Sequence, residues 1–140
     1  MANLSTTITE SVTINGRTYG RTVNETISGI NDIAESVVSI STASTELLDI
    51  VSSNPSIGDI VTDALKYFRI TNTDSSNFVT VTLNGPSSGS DKAVFKLLAG
   101  QSFVLNNDKI GFGSGFVTMD KILVQSDTAA CDCEIFIATT

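Results

Sequence analysis

The chain has 140 residues, a formal net charge of −7, and no histidine or tryptophan. At that length it is one domain by prior, and acidity with eight scattered basic residues excludes a phosphate-binding stripe of the kind nucleic acid requires. Without histidine the usual nucleophile-and-base chemistry lacks its base, and the low charged fraction of 16% points to a neutral, hydrogen-bonding surface.

Serine and threonine make up roughly a quarter of the residues and alternate with Val, Ile and Leu, as in Val79-Thr80-Val81-Thr82-Leu83. A period of two with small hydroxyl residues on one face predicts half-buried strands. In chain order, residues 6–14 and 19–28 read as two strands sparse in apolar residues. Ile8, Val12 and Ile14 lie on one face of the first, and Val23 and Ile27 on one face of the second. Asn15-Gly16 between them predicts a hairpin turn, since both residues accept positive φ. Each apolar row is interrupted by a glutamate, Glu10 or Glu25, so the hairpin is expected to lean on something else.

Denser patterns follow. Residues 36–40 and 47–51 predict core strands joined by the turn Ser41-Thr42-Ala43-Ser44, and Pro55 marks a loop. The spacing of Ile57, Ile60, Val61 and Leu65 leaves room for one helical turn. Strands are then expected at 66–70, 78–83, 93–98, 102–105, 121–125 and 131–138, separated by polar or glycine-bearing turns. About eight short body strands at spacings near 10 residues predict an antiparallel β-sandwich or jelly roll, with strand order left open between jelly roll and immunoglobulin-like. The expected core is Phe68, Ile70, Val79, Val81, Leu83, Phe95, Leu97, Phe103, Leu105, Ile122, Val124, Ile135 and Ile137. Residues 1–28 are assigned to an N-terminal arm for contact between subunits, and 29–140 to the sandwich body.

Reactive or ligand-holding groups are few. Cys131 and Cys133 share a strand face, where two Cα atoms lie about 6.5–7 Å apart, at or beyond disulfide reach. With no histidine or third cysteine to complete a metal site, they are expected to be reduced core thiols. Asn72, Asp74 and Asn77, and likewise Asn106, Asn107 and Asp108, offer oxygens but match no calcium loop, so Asx turns are expected. Gly111 to Gly115 has the wrong spacing for a phosphate loop. Asp132 and Glu134 share a strand face, where a carboxylate pair is expected to meet solvent or a neighbour rather than a sugar. The Asn-X-Ser/Thr triplets at Asn3 and Asn24 are expected to be chance matches, because Met1 to Thr6 has neither the basic start nor the apolar core of a secretory signal. No apolar run approaches the roughly 18 residues of a membrane span.

The opening Thr6-Thr7-Ile8-Thr9-Glu10-Ser11-Val12-Thr13-Ile14-Asn15-Gly16 resembles small structural proteins of tailed bacteriophages. So do Tyr67-Phe68-Arg69-Ile70-Thr71-Asn72-Thr73-Asp74, Asn77-Phe78-Val79, Leu98-Ala99-Gly100-Gln101-Ser102-Phe103 and the ending Glu134-Ile135-Phe136-Ile137-Ala138. The resemblance implies a virion component with a jelly-roll or sandwich fold, and no catalytic residues. The expectation is a non-enzymatic capsid decoration (cement) protein, without cofactor or metal. It would be assembled in the host cytoplasm and bound as a homotrimer to the major capsid protein on the capsid surface, with no nucleic-acid or membrane partner. Ile8, Val12, Ile14, Val23 and Ile27 are the expected contact residues. A tail, neck or fibre-attachment module is the alternative within the virion. A carbohydrate-binding sandwich is the alternative outside it, disfavoured by the lack of tryptophan and by only two tyrosines, Tyr19 and Tyr67.

Overall fold

The computed structural model describes residues 1–51, 60–61, 64–85, 92–106 and 119–140, and the regular structure among them is all strand. An arm comes first. β1 (Ala2–Thr9) pairs antiparallel with β4 (Thr22–Ile30), and β2 (Val12–Ile14) pairs with β3 (Arg17–Tyr19) beyond them. Asn15 and Gly16 take φ of 51° and 77°, the left-handed pair of a type I′ turn. That turn sets Ile14 opposite Arg17, and one register then holds through Val12↔Tyr19 and Ile8↔Val23 to Asn3↔Ser28. The arm is a single long ribbon.

Eight strands build the body: β5 (Asp32–Ile40), β6 (Thr45–Val51), β8 (Leu65–Asn72), β9 (Val79–Asn84), β10 (Lys92–Leu97), β11 (Ser102–Asn106), β12 (Lys121–Ser126) and β13 (Cys131–Thr139). A two-residue strand, β7 (Ile60–Val61), is added between β6 and β8 in sequence. The antiparallel pairs are nested: β5 with β13, β6 with β12, β8 with β11, β9 with β10. Pairing of β13 with β8 and of β12 with β9 rolls this doubled ribbon into two sheets. The first sheet has the order β10-β9-β12-β6-β7 and the second β11-β8-β13-β5. Nested pairs rolled into two four-stranded antiparallel sheets are a jelly roll, which decides the strand order that the sequence left open. β7 joins the first sheet parallel to β6, with Ile50 opposite Ile60. Residues 60–61 are therefore strand rather than helical turn. Ile57, Pro55 and Gly111 to Gly115 lie outside the described residues.

The core follows from period-two alternation. β8 buries Phe68, Ile70 and Asn72 against Val79, Val81 and Leu83 of β9, Ile122 and Val124 of β12, and Cys131, Cys133 and Ile135 of β13. Each such apolar side chain withdrawn from water stabilises the fold by about 1.5–3 kcal/mol. Of the core expected from sequence, Leu97 and Leu105 are also buried, and Phe103 and Ile137 pack against the cluster partly covered. Phe95 is corrected: it lies opposite Val81 on the inward face but remains 39% exposed. β10 is the last strand of its sheet, so no described strand lies beyond the ring, and Phe95 packs on Phe103 at 4.7 Å.

Candidate assembly surface

The arm divides into two halves of different character. At its base, Leu4 sits opposite Ile27, and Ile27 and Ile30 are buried with Ala138, packed by Tyr67 and Phe136. Those three partners lie on the outer face of the second sheet, in rows that run Ile33–Ala138–Tyr67–Asn106 and Glu35–Phe136–Arg69–Val104 across β5, β13, β8 and β11. Tyr67 meets Phe136 edge-on at 5.9 Å, which gives the arm a firm aromatic seat. Two of the arm's apolar residues, Ile27 and Ile30, are spaced by three, which no regular strand places on one face. Gly29 at φ +81° is the extra residue of a bulge, where Ala2 pairs with Ile30 and Asn3 with Ser28, and it turns both isoleucines inward. The Asn106 side chain, on β11, then donates a 2.5 Å hydrogen bond to the Glu25 carboxylate. The arm thus crosses the whole sheet, from β5, where Asn31 N–H meets the Thr139 carbonyl, to β11.

Beyond that crossing every residue from 7 to 24 is exposed. Ile8, Val12, Ile14 and Val23 are 61%, 52%, 55% and 39% exposed, and Tyr19 opposite Val12 is 53% exposed. The opposite face is hydrophilic: Thr7 bonds Asn24 at 3.0 Å, Thr9 meets Thr22 at 3.3 Å and Thr13 meets Thr18 at 3.1 Å. From Ile8 to the turn the ribbon is about 23 Å long at 3.3 Å per residue. Of the five expected contact residues, four are therefore displayed on the outer arm. Ile27 is corrected: it is fully buried in its own chain, because it falls where β4 passes over β13 and β8. Tyr19 and Leu4 were missed by reading the strands one at a time. The turn itself could have found them, since pairing Ile14 with Arg17 puts Tyr19 beside Val12 and Ile27 beside Leu4.

Between the arm and the sheet is a cleft of about 510 Å³. Leu4, Ile8, Tyr67, Val104 and Phe136 give it apolar walls, and Glu25, Glu35 and Arg69 charge its rim. Arg69 is engaged, donating 2.7 Å to the Thr71 hydroxyl and lying 3.7 Å from the Glu134 carboxylate. Asp132 and Glu134 are exposed on the same sheet face.

The remaining groups singled out from sequence fall into structural roles. Asp74 Oδ1 accepts from the N–H groups of Asn77 (2.7 Å) and Ser76 (2.8 Å), and these bonds hold its pKa below the ordinary carboxylate value. Asn72 is fully buried. It accepts from Asp74 N–H and donates to the carbonyls of Asn77 and Leu97, closing the same Asx turn. Cys131 and Cys133 are free and buried, with Ser126 Oγ 3.0 Å from the Cys131 sulfur. Burial, then the neighbouring Cys131, pushes the Cys133 thiol up to about 11. Such a thiol is a poor nucleophile. Asn107 and Asp108 lie outside the described residues. No described helix is long and apolar enough to cross a membrane.

No protein-family model matches the chain, and no curated protein matches it. A solved structure of Bacillus endospore appendages, described as a novel family of disulfide-linked pili, is similar at 10% identity. The match covers 77% of this chain and 85% of that one, with a TM-score of 0.48.

Proposed function

We propose that the chain is a structural subunit whose work is mechanical: a capsid decoration protein of a tailed-phage particle, clamping the joints between major capsid proteins. The observation that carries this reading is the outer arm. A paired ribbon displays Ile8, Val12, Ile14, Tyr19 and Val23 largely to solvent on one face, with Glu10 between Ile8 and Val12, and exposed apolar residues grouped in this way mark an interaction surface. The body supplies a rigid platform whose fold is one that viral capsid domains use. The resemblance of residues 6–16 and 67–74 to small phage structural proteins supplies the virion context.

In this reading each arm reaches a neighbour, either another copy in a trimer or the capsid lattice, and contributes apolar contact plus strand pairing. Each contact is modest, and many copies sum to a large stabilisation by multivalency. Gel densitometry of purified particles tests it. The expected result is a copy number comparable to that of the major capsid protein. A far smaller number would place the chain in the tail or neck, and absence from the particle would overturn the virion reading.

A further inference from the structure

Two of the four sheet ends of the sandwich, β10 and β5, are dressed differently. β10, the last strand of the first sheet, carries Lys92 and Lys96, a common guard against an added strand. β5, the last strand of the second sheet, is nine residues long and holds no Lys, Arg or Pro. Among the described residues no strand pairs with its far side, and its outward row is Ile33, Glu35, Val37 and Ser39, with Ile33 60% and Val37 65% exposed. The surroundings are acidic: Asp32 and Glu35 on the strand, with Asp132 and Glu134 beside it on β13.

We propose that β5 of one copy receives the outer strand of a second copy's arm, residues 17–23, as an added antiparallel strand. This rests on the reading that the arm contacts a neighbour, and it names the receiving surface. The first argument is charge. Residues 1–30 hold two Arg and two Glu, so the whole net charge of −7 resides in residues 31–140. Arg17 and Arg21 are the arm's basic residues, both exposed, and neither forms an ion pair among the described residues. The second is side-chain order. Arg17, Tyr19, Arg21 and Val23 alternate on one row. Setting Arg21 opposite Glu35 puts Tyr19 opposite Val37 and Val23 opposite Ile33, and it puts Arg17 opposite Ser39, whose own partner on β13 is Asp132. Opposite charges and aromatic or β-branched pairs are the combinations that stabilise neighbouring strands.

The third argument is direction. Within one chain the arm starts beside β5, crosses the sheet and is fastened to β11 by the Glu25–Asn106 bond. Its outer half therefore leaves past β11, on the side away from its own β5. Donor and acceptor face opposite ways, so the contact is heterologous and passes head to tail from copy to copy, closing into a ring where the rotation permits.

The test is sedimentation velocity on the full chain with Glu35→Arg, Arg21→Glu and the two combined, each checked by thermal melting. Both sites are exposed, so the melting curves are expected to coincide with that of the unaltered chain. Each single change is expected to weaken self-association at least about tenfold, because it sets like charges against each other. The double change is expected to restore association. Single changes without effect, or a double change as weak as either single one, would overturn the pairing. Loss with Arg21→Glu but not with Glu35→Arg would also overturn it, while leaving the arm as a contact element. An unaltered chain that never self-associates would do the same, and particle binding that still depends on the arm would then keep the decoration reading intact.

Discussion

Gly20 stands where the facing strand of the arm leaves no room for a side chain. A Cβ there would lie 1.9 Å from the Glu10 carbonyl oxygen and 2.9 Å from the Ser11 Cα, and φ is +149°. Gly20→Ala must therefore pry the ribbon apart at that point, breaking the bond from Glu10 N–H to the Arg21 carbonyl. Hydrogen exchange is expected to speed up in residues 10–21 while body amides keep their protection. Two titrating residues give the body opposite pH limits. The lowered pKa of Asp74 contributes stability that is present above its ordinary value of 3.8 and is lost as pH falls through the lower folded value. Asp74→Asn should flatten the acid limb of a stability–pH curve. The raised pKa of Cys133 contributes stability that is present below 9.0 and lost as pH rises towards about 11. Cys133→Ala should flatten the alkaline limb. Both thiols of the unaltered protein should react with a thiol reagent only after unfolding, since both sulfurs are buried.

At the level of elements, the arm's two halves predict opposite mutational behaviour. Ile27→Ala opens a cavity over Ala138 and Phe136 and should cost about 2–5 kcal/mol in chemical denaturation. Val12→Ser or Ile14→Ser changes a side chain that is more than half exposed, and should leave stability within about 0.5 kcal/mol. Removing all of residues 1–28 would bare Tyr67 and Phe136, so a trimmed arm should be cut outside Thr6 and Glu25. The strands themselves were readable where alternation is clean, as with Val79, Val81 and Leu83 in β9. The arm's register was equally readable from Asn15-Gly16. Its seat on the sheet was hidden, because the Gly29 bulge breaks the alternation that would have marked Ile27 and Ile30 as inward-facing. Phe95 was misplaced for a related reason: alternation tells which face a residue takes, while its exposure depends on whether a further strand lies alongside.

For the whole molecule, the topology was legible only as a class. The pairing that makes the fold a jelly roll joins β5 to β13 and β6 to β12, near opposite ends of the body, and no local pattern encodes such partners. Contacts this distant in sequence also predict slow folding, in the range of milliseconds to seconds for a chain dominated by non-local strand pairs. The arm was legible as an anomaly: it holds too few apolar residues to fold alone, yet displays them in register. The structure divides the arm into a base packed on the chain's own sheet and an outer half whose residues 7–24 are all exposed.

The sedimentation mass of the intact chain against a variant carrying Ile8→Ser, Val12→Ser, Ile14→Ser and Tyr19→Ser tests most directly whether the outer arm exists to hold a neighbour. The intact chain should sediment as a trimer or larger. The variant should run as a 14.7 kDa monomer with an unchanged unfolding midpoint. A variant that keeps the full assembly, or an intact chain that stays monomeric across the concentration range and binds particles no better than the variant, would contradict the account.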